Sequence, residues 1–344
     1  MDTFIEVEED SPEALLKAYA ARGWGDGLPL VAPTPERVER MLAFAAGDPD
    51  ESLGVLPPRS GVITRRMTAV NAVLAGCAPE VFPVVLGAAR ALAQPQVNIG
   101  GINATTHPVA PLLIVSGDVV AQCGFNAGAG AFGPGNRANA TVGRAVRLIL
   151  LHIAGARPGE GDASTQGGPA KYTYCVAENT ADSPWESYPR SRGVMSASAV
   201  TVHCGEGPHN VHDMEAEGRA DLILDKLASA MTSLGMNNAC IGQGEFFVTL
   251  CPEHAKNIAA ASFTRDDVSS YLYEHARHPA GLLRKHFRSR AWPAWMRSSA
   301  DDAMLPMTAH PGNIRVLVVG GPGKHSSIIP SWGMTASVTL PIEG

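Results

Sequence analysis

One short phrase is written twice in this chain of 344 residues: Gly167-Gly168-Pro169-Ala170-Lys171-Tyr172-Thr173 and Gly320-Gly321-Pro322-Gly323-Lys324-His325-Ser326. Similar patterns precede each copy, so the expected origin is a diverged tandem duplication. Such a chain folds into two similar halves that face each other. A glycine loop with a lysine and a hydroxyl presents backbone N–H groups beside a cation, which suits a bound carboxylate or phosphate.

The patterns upstream agree with that reading. Pro111-Leu112-Leu113-Ile114-Val115 is short, apolar and bounded by proline and glycine, as a buried strand is, and Glu245–Leu250 is of the same length and type. A helix from about Asn139 to Ile153 puts Val142, Ala145, Val146, Ile149 and Ile153 on one face, with Gly155 to end it. Its counterpart opens with a capping box, Thr264 to Asp267, and continues through Val268, Tyr271 and Leu272. Earlier helices are expected over Pro79–Leu92 and Ala220–Met231. The expected fold is therefore α/β, with two related, tandem-duplicated αβα-type lobes (residues 61–193 and 194–344) behind an N-terminal arm (residues 1–60).

Composition narrows the function classes. Hydrophobic residues are 45% and charged residues 17% of the chain, enough for a large core, while 36 glycines and 26 prolines fall in loops between apolar segments. A net charge of −6 opposes general nucleic-acid binding, which needs a basic face. The cluster from Arg284 to Arg297, with Lys285, His286, Arg288, Arg290, Trp292 and Trp295, is the local exception and fits a solvated or subunit-contacting surface. The opening Met1-Asp2-Thr3-Phe4 runs into acids rather than a signal peptide, and no apolar run reaches membrane-span length. Six cysteines without paired spacing fit reduced thiols in a cytoplasm.

The arm carries Gly23-Trp24-Gly25-Asp26-Gly27-Leu28-Pro29-Leu30, an extended proline-bounded piece, and then Thr34 as the N-cap of a helix beginning at Pro35. It reads as a strap or as an ordinary leading turn and helix. The segment Gly23–Pro33, taken with Gly133-Pro134-Gly135-Asn136-Arg137-Ala138-Asn139-Ala140-Thr141-Val142-Gly143-Arg144-Ala145, resembles a family of poorly characterised bacterial proteins. The arm also resembles the openings of bacterial UGSC-type thiol or selenol proteins. The resemblance covers about residues 20 to 180 and implies an enzyme without naming a reaction.

Several segments carry candidate chemistry. Gly128, Gly130 and Gly133 match a dinucleotide fingerprint, but no acid follows the helix to hold a ribose, so no nicotinamide or flavin is expected. An anion at that helix N-terminus suits Asn136 and Arg137 better. Arg144 lies in an apolar stretch, where it must reach a ligand or pair with an acid such as Glu178 or Asp162. His203, Cys204, Glu206, His209, His212 and Asp213 form one donor-rich segment, the candidate site for zinc or a similar divalent metal. Cys123 follows a strand, where a thiol is either a nucleophile or inert core. The knot Asn103–Pro108 with His107, and Glu253-His254 after the second strand, occupy corresponding places.

These readings assign catalysis to His325, Lys171, Lys324 and Cys123. They assign substrate binding to Arg144, Arg137, Asn136, Tyr172, Ser326, Gly168 and Gly321, and metal binding to His203, His209 and His212. The expected function is a hydrolase or lyase, possible metal assistance included, acting on a small carboxylated metabolite held between the lysine loops of a homo-oligomer. Two alternatives stand beside it: a thiol-dependent redox enzyme working through Cys123 or Cys175 with a partner protein, and a non-catalytic binding or scaffold protein.

Overall fold

The computed structural model describes residues 11–241, 244–287 and 294–343; Met1–Phe4 and, in the basic cluster, Arg288, Arg290 and Trp292 lie outside the described residues. In chain order the strands of its two large sheets are β1 (Ala110–Gly117), β2 (Cys175–Ala177), β3 (Ser198–Gly205), β4 (His209–His212), β5 (Phe246–Leu250), β6 (Ile314–Val318), β7 (His325–Pro330) and β8 (Val338–Pro341). The first sheet has the order β2-β1-β3-β8 and the second β6-β5-β7-β4.

The inner strands β1 and β5 are apolar apart from Ser116 and Thr249 near their carboxyl ends, because both faces are covered. Leu113 and Val115 join a core made with α1 (Arg65–Ala75), α2 (Phe82–Leu92) and α3 (Arg137–Ile149). The alternate residues Leu112 and Ile114 meet Phe247, Leu317 and Ile329 of the other sheet. On the far side Phe246, Val248, Val316 and Ile328 pack on α4 (Ala220–Ala230), α5 (Pro252–Ala260) and α6 (Arg265–His275). The layers are thus helix, sheet, sheet, helix. The αβα lobes expected from sequence differ from this: each sheet has helices on one face only, and its other face is closed by the second sheet. Burying one aliphatic side chain contributes about 1.5–3 kcal/mol, so neither inner face is stable against water.

The two sheets share more than size. In each, the first two strands of the order are parallel and the remaining neighbours antiparallel. The ladders also end alike: Glu178 N–H donates to Val115 O at 2.9 Å, and Val319 N–H donates to Leu250 O at 3.0 Å. Each sheet takes its last strand from the chain that has just left the other. After β3 the chain crosses to form β4 in the second sheet, and after β7 it crosses back to form β8 in the first. The crossings touch where Gly205 bridges Ser331 and Glu206 N–H donates to Pro330 O at 2.8 Å. The first sheet therefore reaches beyond residue 193, taking β3 and β8 from the stretch expected to form a second lobe.

The local expectations for the arm hold. Thr34 caps the helix Pro35–Leu42, whose Val38, Met41 and Leu42 enter the first core. The extended piece lies over α3, where Arg144 clamps Asp26 through two bonds of 2.7 and 2.8 Å. Gly155, at φ 74°, ends the helical segment after α3 as a left-handed cap. Among the described residues no helix is long and apolar enough to cross a membrane.

Candidate functional site

The connection leaving β1 does not stay on its own sheet. Its turn is held by asparagines: Asn136 Oδ1 caps α3 by accepting from Asn139 N–H at 3.0 Å, and Asn136 Nδ2 donates to Gly124 O at 2.8 Å. Asn139 in turn holds Asn126 by its main chain on both sides, at 2.9 Å each. So braced, the Ala127–Gly133 segment reaches the loop that leaves β6. Gly320 N–H donates to Ala127 O at 2.8 Å. Gly321 packs so closely that a Cβ there would lie 2.7 Å from Ala129 N, a contact only glycine permits.

Between these two glycine segments opens a cleft of about 330 Å³, walled by Ala129–Gly133 and Val319–Gly323 and lined by Thr249, Cys251, His325 and Ser327. It lies beyond the carboxyl ends of the parallel pair β5 and β6, where α/β sheets commonly bind ligands.

Cys251 places a thiol at this cleft. It is the N-cap of α5, with Pro252 at the first helical position, so its sulfur sits at the positive end of the helix. Ser326 Oγ lies 3.7 Å from Cys251 Sγ and 2.8 Å from His254 Nδ1, and it accepts from Cys251 N–H at 3.1 Å. His254 Nε2 is 3.2 Å from the main-chain oxygen of Asp213. A carbonyl only accepts, so Nε2 carries hydrogen, and in the neutral ring Nδ1 is left bare toward Ser326. Thiol, hydroxyl and imidazole therefore form a chain along which a proton can pass.

The electrostatics match that arrangement. Burial pushes the Cys251 thiol above its ordinary value, the Glu253 charge adds to that, and hydrogen bonds from the His254 and His325 N–H groups pull part of it back. Burial also lowers His254, an effect only partly opposed by the Asp213 carbonyl. At neutral pH the resting pair is a thiol and a neutral imidazole, which is a nucleophile with its base. Cys251, His254 and Ser326 are 4%, 3% and 2% exposed; of the three Cys251 lines the cleft, and Ser326 and His254 stand behind it.

Of the residues singled out from sequence, His325, Ser326 and Gly321 meet here. His325 lines the cleft with its Nδ1 3.1 Å from Asn210 Oδ1. Lys324 stands beside it, its Nζ donating to Met214 O at 3.1 Å.

The other assignments fall elsewhere. Lys171 does not face Lys324 across a cleft: its Nζ donates to both oxygens of Asp162, at 3.0 and 2.8 Å, and Arg147 Nη1 reaches the same carboxylate at 3.2 Å. Arg144 is committed to Asp26, an acid not among the pairing partners expected for it, and Arg137 donates to Gly76 O at 3.1 Å. Asn136 is a cap, Tyr172 is exposed, and Gly168 is extended with nothing near its Cβ position. Cys123 Sγ donates to Glu80 O at 3.2 Å; burial and a nearby acid raise its pKa as they do that of Cys251, but its partner is a carbonyl rather than a hydroxyl backed by an imidazole.

The three histidines proposed as metal ligands are separated by strand formation. His203 lies between the sheets, fully buried and 4.5 Å from the Phe247 ring, while His209 and His212 are exposed on the edge strand β4. Among the described residues no three His, Cys, Asp or Glu side chains are placed to hold a metal ion. Cys251 and His254 escaped the sequence reading as a pair. Their signal was a thiol at the expected end of a strand, then proline, then histidine at the third helical position.

No protein-family model matches this chain, and no curated protein matches it.

Proposed function

We propose that this protein is a thiol-dependent hydrolase that acts on a small carboxylated metabolite in the cleft between its two glycine segments, with Cys251 as nucleophile. The observation that carries the reading is the Cys251–Ser326–His254 chain opening on that cleft. The thiol proton passes through Ser326 Oγ to His254 Nδ1 as sulfur bonds to the substrate's carbonyl carbon. The imidazolium then gives the proton to the leaving oxygen or nitrogen as that bond breaks, leaving a thioester. Water attacks the thioester with His254 taking its proton, and the proton returns to the departing sulfur. The N-terminus of α5 and His325 support a carboxylate in the cleft, a role that Lys171 and Arg144 are not free to play.

Hydrolysis is favoured because the groups around Cys251 are a hydroxyl backed by the His254 imidazole and N–H donors. A panel of small carboxylated esters, thioesters and amides tests the proposal. One class should be turned over, and Cys251→Ala and His254→Ala should each lower kcat by about 10²-fold or more. Full turnover in Cys251→Ala would remove the proposal.

We also infer a tandem duplication, supported by the shared strand order, the matched ladder ends and the reciprocal edge strands. In that alignment Ser116 stands where Cys251 does, one residue past the last ladder carbonyl. Val200, opposite Val115, takes the place of Ser326. Only the second half keeps the thiol and hydroxyl, giving one functional cleft per chain.

A further inference from the structure

We infer that Asp213 is a positioning residue for the thiol site, acting through His254, and that Lys226 of α4 holds it in place. The inference rests on the thiol reading above. A base that takes a proton from Ser326 must keep Nδ1 bare, and the only way a neutral imidazole does so is to carry its hydrogen on Nε2. The Asp213 main-chain oxygen, 3.2 Å from Nε2, selects that tautomer.

That carbonyl is aimed by an unusually committed residue. Asp213 Oδ1 accepts from Glu215 N–H at 2.9 Å and Ala216 N–H at 2.7 Å, closing the turn after β4. Its Oδ2 accepts from Lys226 Nζ at 2.6 Å, and its own N–H donates to Lys324 O at 3.2 Å. Asp213 thus joins α4 and the turn through its side chain, and through its N–H it joins them to Lys324, just before His325 and Ser326. An ordinary surface ion pair would leave the acid in water, whereas the Asp213 side chain is 2% exposed and that of Lys226 47% exposed. Removing the lysine therefore strands a buried carboxylate, and the turn must reorganise to hydrate it. The charged groups bearing on His254 are Asp213 itself, Glu253 on α5 and Lys324 on the glycine loop.

The test is the rate of Cys251 alkylation by iodoacetamide in the folded full-length protein, read by peptide mass spectrometry as a function of pH. Lys226→Gln and Asp213→Asn should slow it about 3- to 10-fold at neutral pH and move its acid limb, and Lys226→Arg should restore both. Lys226→Gln leaves every bond of the turn itself in place, so it serves where Asp213→Asn fails to fold. If folded Lys226→Gln keeps the wild-type rate and limb while His254→Ala loses them, the positioning role is wrong and the thiol reading stands. If His254→Ala itself changes nothing, both fall together.

Discussion

Lys171 and Lys324 end loops of the same spelling, yet Lys171 is locked against Asp162 beside Arg147, whereas Lys324 rests on a main-chain carbonyl at the rim of an open cleft. The difference follows from where each loop enters its sheet. The first precedes the parallel edge strand β2, and the second follows the parallel edge strand β6. The place matching the first loop is the turn Pro311–Asn313, which runs into β6 as the turn Pro169–Lys171 leads toward β2. Four matching letters are a weaker sign of structural equivalence than the register of a buried ladder. Register is enforced at every inward side chain, while a surface loop is free to drift.

The sharpest way to break the comparison is at Asp162. Replacing it with alanine leaves Lys171 and Arg147 facing each other without a counter-charge, and the expected loss is about 3–5 kcal/mol in urea unfolding. The pH dependence has a definite sign. Burial alone would raise the Asp162 pKa, but the Lys171 hydrogen bond and charge more than offset it, and the folded value is lowered. The stabilisation is therefore complete above the ordinary carboxylate range and fades as pH falls through the lower folded value. Asp162→Ala should remove that part of the acid sensitivity.

A smaller effect sharpens the same contrast. Gly321→Ala drives a Cβ into Ala129 and should cost about 1–3 kcal/mol or widen the cleft, whereas Gly168→Ala, in extended backbone and open space, should stay within about 0.5 kcal/mol. Equal effects of the two substitutions in thermal unfolding would mean that the loops are alike after all.

Periodicity and capping made the individual elements legible. The apolar run Pro111–Val115 lies inside β1, Glu245–Leu250 matches β5 to one residue, and the capping box at Thr264 and Asp267 starts α6 as expected. The exchange of edge strands was not legible. β4 is four residues rich in histidine, and three of its four residues are exposed, so nothing in its pattern separates a half-wet edge strand from a ligand-bearing loop. The candidate site was legible only in pieces. Glycine loops, His325 and Ser326 stood out by composition, but the thiol and its imidazole are buried and belong to a helix start. Their meaning depends on Ser326, which folding brings from the far side of α6 and β6.

The most direct measurement compares Cys251 with Cys123 in the native protein, as site-resolved iodoacetamide alkylation rates across the pH range where histidine and thiols titrate. Cys251 should react faster at neutral pH, with an acid limb below the ordinary histidine value of about 6.5 because burial lowers His254. In His254→Ala that limb should vanish, leaving a single rise toward alkaline pH. If Cys251 instead shows only that alkaline rise in the wild type, as Cys123 should, and does so regardless of His254, the account of the cleft as a thiol site is contradicted.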